Sequence, residues 1–246
     1  MGVDITDLEF SWPSSEAVFS ALSLRVKSHS VHAVMGRSGC GKSTLLSLIA
    51  GLESPSHGTI AFVGERIHRQ HVAMVFQDPR LLPWWPVDRN VAISAEFEGR
   101  GPEWYRRVKD YYTNLVGLKE FANRMPHQLS LGMQTKASIG RGFAHDADVM
   151  LLDEPFVHLD AISRRKMWVE LETHWELDPR TYVLVTHDPE EAVMLADRVS
   201  ILTPAPSHLY ETIEIDLPRP RTIDMLTHPG FRSALSRVWE ALERAR

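Results

Sequence analysis

The segment Gly36-Arg37-Ser38-Gly39-Cys40-Gly41-Lys42-Ser43 constrains this chain more than any other stretch. It fits the spacing G-x-x-x-x-G-K-[ST] and lies between an apolar run at 31–35 (VHAVM) and a stretch of helical composition at 42–50, which Gly51 stops. Glycines at that spacing let the main chain wrap closely around an anion. The loop amides and the helix N-terminus then point at it. Lys42 reaches the outer phosphates of a nucleotide, Ser43 offers a hydroxyl to Mg²⁺, and Thr44 completes the cradle. An ordinary glycine turn is the alternative.

Cys40 reads as a small filler in that loop, with a regulatory thiol as the alternative. Its place at a helix N-terminus predicts a thiol more reactive than average, one whose alkylation a nucleotide bound in the loop should block.

Composition removes several classes of function. The 246 residues amount to roughly 1.6 domains, so one large α/β domain or a core with an inserted lobe is expected. Hydrophobic residues make up 43% and charged residues 24%, which excludes a disordered or collagen-like chain. A net charge of -5 supplies no basic field for nucleic acid. A single cysteine cannot build a disulfide framework, and the start MGVDITDLEF lacks the basic and apolar regions of a secretory signal, so a reducing, cytoplasmic setting is expected. No apolar run approaches the ~18–20 residues of a membrane span.

Apolar segments that each run into a polar or glycine-rich turn recur along the chain, at 31–35, 59–63, 72–76, 149–152, 182–185 and 199–202. They predict an α/β sheet. Between Phe76 and Val149 the alternation lapses, and 103–116 and 131–143 read as helices, as if a helical lobe were inserted into the sheet domain. After Pro206 an alternating strand, ETIEID, and the proline-rich segment 217–221 precede a stretch at 230–246. There Phe231, Leu235, Val238, Trp239 and Leu242 are expected on one helical face, for packing or docking.

Two further strand ends carry chemistry. The run VMLLDE ends in Asp153 and Glu154, and carboxylates at a buried strand end need a charged partner. Beside a phosphate loop, Asp153 is expected to hold the Mg²⁺ shell and Glu154 to orient and deprotonate the attacking water; a solvated strand terminus is the bland reading. Thr186-His187-Asp188 follows the apolar run 182–185 in the same way, which singles His187 out from the twelve histidines of the chain.

These residues, in this order, resemble the ATP-binding subunits of ABC transporters over nearly the whole chain. The resemblance implies a P-loop NTPase (RecA-like) α/β core with an antiparallel β subdomain and an inserted helical subdomain, an ATP-binding domain at 3–227 with the helical part at about 86–145, and a C-terminal amphipathic helix at 228–246. It implies ATP and Mg²⁺ as cofactors and a catalytic set of Glu154, His187 as the switch histidine, and Lys42. Gln77 in MVFQ matches the Q-loop glutamine beside the metal, joining Ser43 and Asp153 there. Leu129-Ser130-Leu131-Gly132-Met133-Gln134 occupies the place of the signature segment, in which Ser130 and Gly132 bond the γ-phosphate held by the opposite subunit. Val157-His158-Leu159-Asp160 looks like the D-loop. Trp12 in FSWP is the candidate to stack on adenine, with Phe10 second.

The same resemblance implies a homodimer closing around two ATP molecules, two membrane permease subunits, an external solute-binding protein reached indirectly, and a place on the cytoplasmic face of the membrane. VFQDPRLLPWWPVDRNVA and DLPRPR are similar to the nitrate, sulfonate and taurine importers. The usual signature has glycine at position 131, so Leu131 puts a side chain, and a Cβ restriction on φ, where another subunit approaches; weaker hydrolysis, with nucleotide binding kept, is the expectation. A soluble ABC ATPase outside transport and a nucleotide-gated module with little turnover stay open at this point.

Overall fold

The computed structural model describes residues 1–13, 16–65 and 70–245, with the backbone alone at residues 70 and 71. Two sheets form the frame. Strands β1 (Gly2–Ser11), β2 (Ala17–Val26) and β4 (His57–Val63) make an antiparallel sheet in the order β2-β1-β4. Strands β3 (Val31–Gly36), β5 (Gln70–Val75), β6 (Ala147–Asp153), β7 (Thr181–Val185), β8 (Arg198–Leu202) and β9 (Leu209–Glu214) make the second, ordered β5-β6-β7-β3-β8-β9. This sheet is parallel except for β9, which runs antiparallel to β8.

The central strands β3, β6 and β7 of the second sheet are covered on both faces, which is why they are near-continuous apolar runs, whereas β9 at the edge alternates. In β6, Val149 and Leu151 face the core shared with the antiparallel sheet and α1 (Lys42–Ile49), while Met150 and Leu152 face the core on the other side. In β7, Val183 and Val185 take the first side and Tyr182 and Leu184 the second. That second core is closed by α6 (Ala161–Leu177), α7 (Pro189–Leu195) and α8 (Pro229–Arg244).

Between β5 and β6 the chain makes a helical lobe of α2 (Val87–Val91), α3 (Ile93–Phe97), α4 (Pro102–Leu115) and α5 (Leu131–Phe143). Its own small core is Ala92, Ala95, Val108 and Ala144, with Trp104, Tyr105 and Tyr112 against it. Phe143 of α5 and Tyr112 of α4 pack on His174 of α6, fastening lobe to core.

The C-terminal stripe needs a correction. Phe231, Ala234, Val238 and Ala241 of α8 are buried, and Leu235 and Leu242 pack beside them, but Trp239 is 52% exposed. One residue beyond Val238 turns it about 100° off the buried face. Arg246 lies outside the described residues. The DLPRPR segment is an anchor: Arg219 pairs with Glu172 and with Asp197, and the buried Arg221 donates to the carbonyls of Val193 and Ala196.

Candidate nucleotide site

Three strand ends meet at one place because β6, β7 and β3 are neighbours in the sheet. Each is followed by one element of the site: β6 by Glu154, β7 by Thr186 and His187, β3 by the glycine-rich loop. Ligands of open α/β sheets sit outside such carboxyl ends. Here that space is a cavity of about 580 Å³ lined by Trp12, Val18, Ser38, Gly39, Gly41, Lys42, Ser43, Thr44, Gln77, Glu154 and His187.

The loop is shaped by its glycines. Gly41 has φ 93°, and a Cβ there would lie 2.5 Å from Val18 Cγ1, so only glycine lets the loop rest on β2 and still open α1. Gly39, at φ 83°, meets nothing within 4 Å, leaving its main chain open toward the cavity. Lys42 folds back over the loop, its Nζ donating to the carbonyls of Gly36 at 2.9 Å and Arg37 at 3.1 Å. The Arg37 and Ser38 side chains are exposed.

Cys40 is a buried filler, as the sequence suggests, but its setting does not favour the thiolate. The thiol is buried beneath the loop, a Cβ on Gly36 would come within 2.7 Å of its Sγ, and Ser207 donates to its carbonyl at 2.7 Å. Burial pushes the thiol pKa up, against the pull of the Lys42 charge, so the thiolate is scarcer than in an ordinary cysteine. The filler reading holds and enhanced reactivity does not.

Ser43 Oγ donates to Asp153 Oδ1 at 2.9 Å. Burial raises the Asp153 pKa, opposed by this hydrogen bond, while Glu154 raises it further and Lys42 lowers it. Beside it, Glu154 Oε2 and His187 Nδ1 stand 3.2 Å apart. Glu154 holds a left-handed backbone, φ 44°, with its N–H donating to Val185 O at 2.9 Å. A non-glycine residue in that region is strained, and the strain turns its carboxylate into the cavity and away from the strand.

Among the described residues no cluster of three or more His, Cys, Asp or Glu could hold a metal ion. What the chain offers is a hydroxyl and a carboxylate in contact, with Gln77 across the cavity. That sparse oxygen set fits Mg²⁺, which keeps waters and phosphate oxygens as its other ligands, and the open loop with its lysine fits the phosphates. Trp12 presents a partly exposed indole to the cavity and is braced edge-on by the buried Phe10, ring centroids 5.0 Å apart, so the structure places Trp12 at the cavity and Phe10 behind it.

Ser130, Gly132 and Asp160 are not brought into this cavity. Ser130 caps α5, its Oγ accepting from Met133 N at 3.3 Å. Gly132 lies against the segment before α6, where a Cβ would sit 3.2 Å from His158 O. Asp160 caps α6, accepting from Ile162 N and Ser163 N. Leu131 is half-exposed at the first position of α5 and does not have a positive φ. The expectation that position 131 needs glycine for its backbone is thus incorrect; side-chain bulk alone distinguishes it.

Sequence reasoning missed Arg164. Its guanidinium bonds Asp188 Oδ2 at 3.2 Å and the Leu159 carbonyl at 3.3 Å, tying the segment around Asp160 to the loop that carries His187. The contact joins segments 24 residues apart, and no local pattern announces it.

A glycine-rich phosphate loop, a magnesium-type carboxylate behind its serine and a carboxylate–histidine pair at the rim, all on parallel strand ends, define a P-loop ATPase. The comparisons narrow the class. The family model described as ABC transporter matches residues 19–157, more than half of the chain. An uncharacterised ABC transporter ATP-binding protein of Methanocaldococcus jannaschii is 39% identical over 219 residues, covering 88% of this chain and 82% of that protein. The bicarbonate transport ATP-binding protein CmpC of Synechocystis is 37% identical over 223 residues, and the nitrate import ATP-binding protein NrtC of Synechococcus elongatus 36% over 231. These two alignments cover 88% and 92% of this chain but 33% and 35% of the relatives, so the chain spans about a third of their length. The ATP-binding cassette MJ0796, solved as a dimer in a post-hydrolysis state with ADP and Pi, superposes with a TM-score of 0.77 at 25% identity, covering 88% of this chain and all of that one. The chain belongs to the ABC transporter family and is a Mg²⁺-dependent ATPase of that type.

Proposed function

We propose that this chain is the ATP-hydrolysing subunit of an importer for a small anionic solute such as nitrate, a sulfonate or taurine. The observation that carries the hydrolytic part is the Glu154–His187 pair, 3.2 Å apart, at the rim of the cavity whose floor holds Ser43 on Asp153. Glu154 takes the proton of the attacking water, and His187 orients that carboxylate and the outer phosphate. Lys42 and the amides of 36–44 cradle the phosphates. Ser43, Asp153 and Gln77 hold the cation, and Trp12 stacks on the adenine. When bound, Mg²⁺ supplies charge neutralisation at the outer phosphates.

Ser130, Gly132 and Asp160 act across a homodimer on the nucleotide of the opposite copy; their placement outside this chain's own cavity supports that role. The ATP-binding unit is residues 3–227 with its helical lobe at 86–145, and residues 228–246 add the terminal helix. The dimer sits on the cytoplasmic side of the membrane beneath two permease subunits, with a solute-binding protein outside. The anionic cargo is supported by the likeness to nitrate and bicarbonate transport proteins. No helix among the described residues is long and apolar enough to cross a membrane, so the path for the solute belongs to the permeases.

Uptake by cells lacking the gene tests the reading. Uptake of one anion among nitrate, taurine and alkanesulfonates should be lost, restored by the wild-type chain and not by Glu154→Gln. Uptake of all three at wild-type rates in the deletion strain would contradict it.

A further inference from the structure

The loop after β5 carries Gln77, Asp78, Pro79 and Arg80, and Arg80 has a left-handed backbone, φ 44°. A β-carbon makes that conformation costly, so contacts from elsewhere must hold the loop there. They come from Arg141 in the last turn of α5. Its Nη2 donates to Pro79 O at 2.7 Å and its Nη1 to Arg80 O at 2.8 Å, across 62 and 61 residues of sequence.

No carboxylate pairs with Arg141 among the described residues; its remaining contact is Ser138 Oγ, 3.4 Å away on its own helix. Burial lowers its pKa, so this cation gives up solvation in order to grip two carbonyls. Arg80 in turn lays its guanidinium over the Phe76 ring, 3.8 Å from the centroid, closing the loop on the residue before Gln77.

The other end of α5 carries Ser130, Leu131 and Gly132. A helix of 13 residues is a rod of about 20 Å, so a grip on one end is felt at the other. We propose that Arg141 is a positioning residue that fastens the Gln77 loop to α5, so that the group at this chain's own metal and the helix end offered to the partner's phosphate shift as one body. The consequence for turnover rests on the hydrolytic reading above; the clamp itself does not.

The test combines hydrogen exchange of the nucleotide-free full chain with steady-state ATP turnover. In Arg141→Ala the amides of residues 77, 78 and 80–82 should exchange about tenfold faster or more, while those of β6 keep their protection. Its kcat should fall about tenfold with KM for ATP moving less than about threefold, since the cradle is intact. Arg141→Lys should recover part of both, because one ammonium can bond one of the two carbonyls. Adding Gln77→Ala to Arg141→Ala should cost no more than about twofold further in kcat.

Unchanged exchange of these loop amides in Arg141→Ala overturns the clamp. Effects of Gln77→Ala and Arg141→Ala on kcat that simply multiply overturn the positioning role. If Arg141→Ala does not fold, Arg141→Lys decides by the same two readouts, with loop exchange and kcat both equal to wild type as the contrary result. A wild-type chain that does not turn over ATP would remove the hydrolytic reading, and loop exchange would still judge the clamp.

Discussion

The strand-end half of the site and the signature half are built on opposite terms. Around the phosphate loop, the phosphate, metal and water groups are partnered inside the chain: Lys42 on two carbonyls, Ser43 on Asp153, Glu154 beside His187. Around α5, Ser130 and Asp160 satisfy only the ends of their own helices, and Leu131 next to Ser130 is half-exposed. One half is complete in a single copy. The other presents two helix ends at the surface, and Arg141 and Arg164 tie it to the first by hydrogen bonds.

The largest effect should fall on the complete half. Glu154→Gln removes the water-activating carboxylate and leaves the cradle, so turnover should drop about 10²–10⁴-fold with ATP still bound. Near-normal turnover would place the base elsewhere. Lys42→Ala should instead weaken ATP binding by about 10–100-fold, the worth of one or two charge-assisted hydrogen bonds, as read by titration with a fluorescent ATP analogue.

The signature half should respond in the opposite direction. Leu131 neither requires an unusual backbone nor packs into the lobe, so Leu131→Gly removes bulk from the outer surface alone. Turnover should rise several-fold, ATP binding to one copy should stay constant, and the stability loss should stay near the ~1 kcal/mol of a glycine in a helix. Unchanged turnover would mean that this surface does not meet a partner's nucleotide.

A pH-dependent effect on stability, outside the turnover series, sharpens the comparison from beneath the strand-end half. Burial in α7 pushes Glu191 up to about 8, and its Oε1 has no hydrogen-bond partner. Below the usual carboxylate pKa both states are protonated; as pH rises toward 8 the unfolded chain ionises first, so this group's contribution to stability is lost over that window. Glu191→Gln should therefore raise the melting temperature more at pH 8 than at pH 5, a difference worth roughly 2–4 kcal/mol. A pH-independent change would contradict the burial argument. His32 and His174, both lowered to about 4 by burial, act with the opposite sign and cost stability as pH falls from 6.5 to 4.

How much of this was legible in the sequence follows the same division. The strand-end half was readable because each of its elements is an apolar run plus a few adjacent residues, and α5 falls at 131–143 as its composition indicates. Strands β1 and β2 were not read: positive φ at Asp7 and Ala21 and register shifts along their pairing break the alternation that marks a strand. Helix α6 escaped because its fully buried apolar positions, Met167, Trp168 and Leu171, form only a narrow stripe among charges. The reactivity of Cys40, though not its packing role, was misjudged because position on a helix is visible in sequence and desolvation is not. Arg141 grips main-chain carbonyls, and Arg164 the carboxylate of Asp188, at positions distant in sequence, which no residue pattern encodes.

The central claim, that one copy supplies the phosphate loop and the other the signature, is tested most directly by complementation between two inactive variants. One carries Lys42→Ala with Glu154→Gln; the other carries Ser130→Glu, which points a carboxylate at the partner's phosphates. Each alone should be inactive. Mixed in equal amounts they should recover roughly a quarter of wild-type turnover, since half of the dimers are mixed and each of those has one intact composite site. A mixture that stays inactive although the Ser130→Glu chain still binds ATP, or a Ser130→Glu chain fully active by itself, would contradict the account.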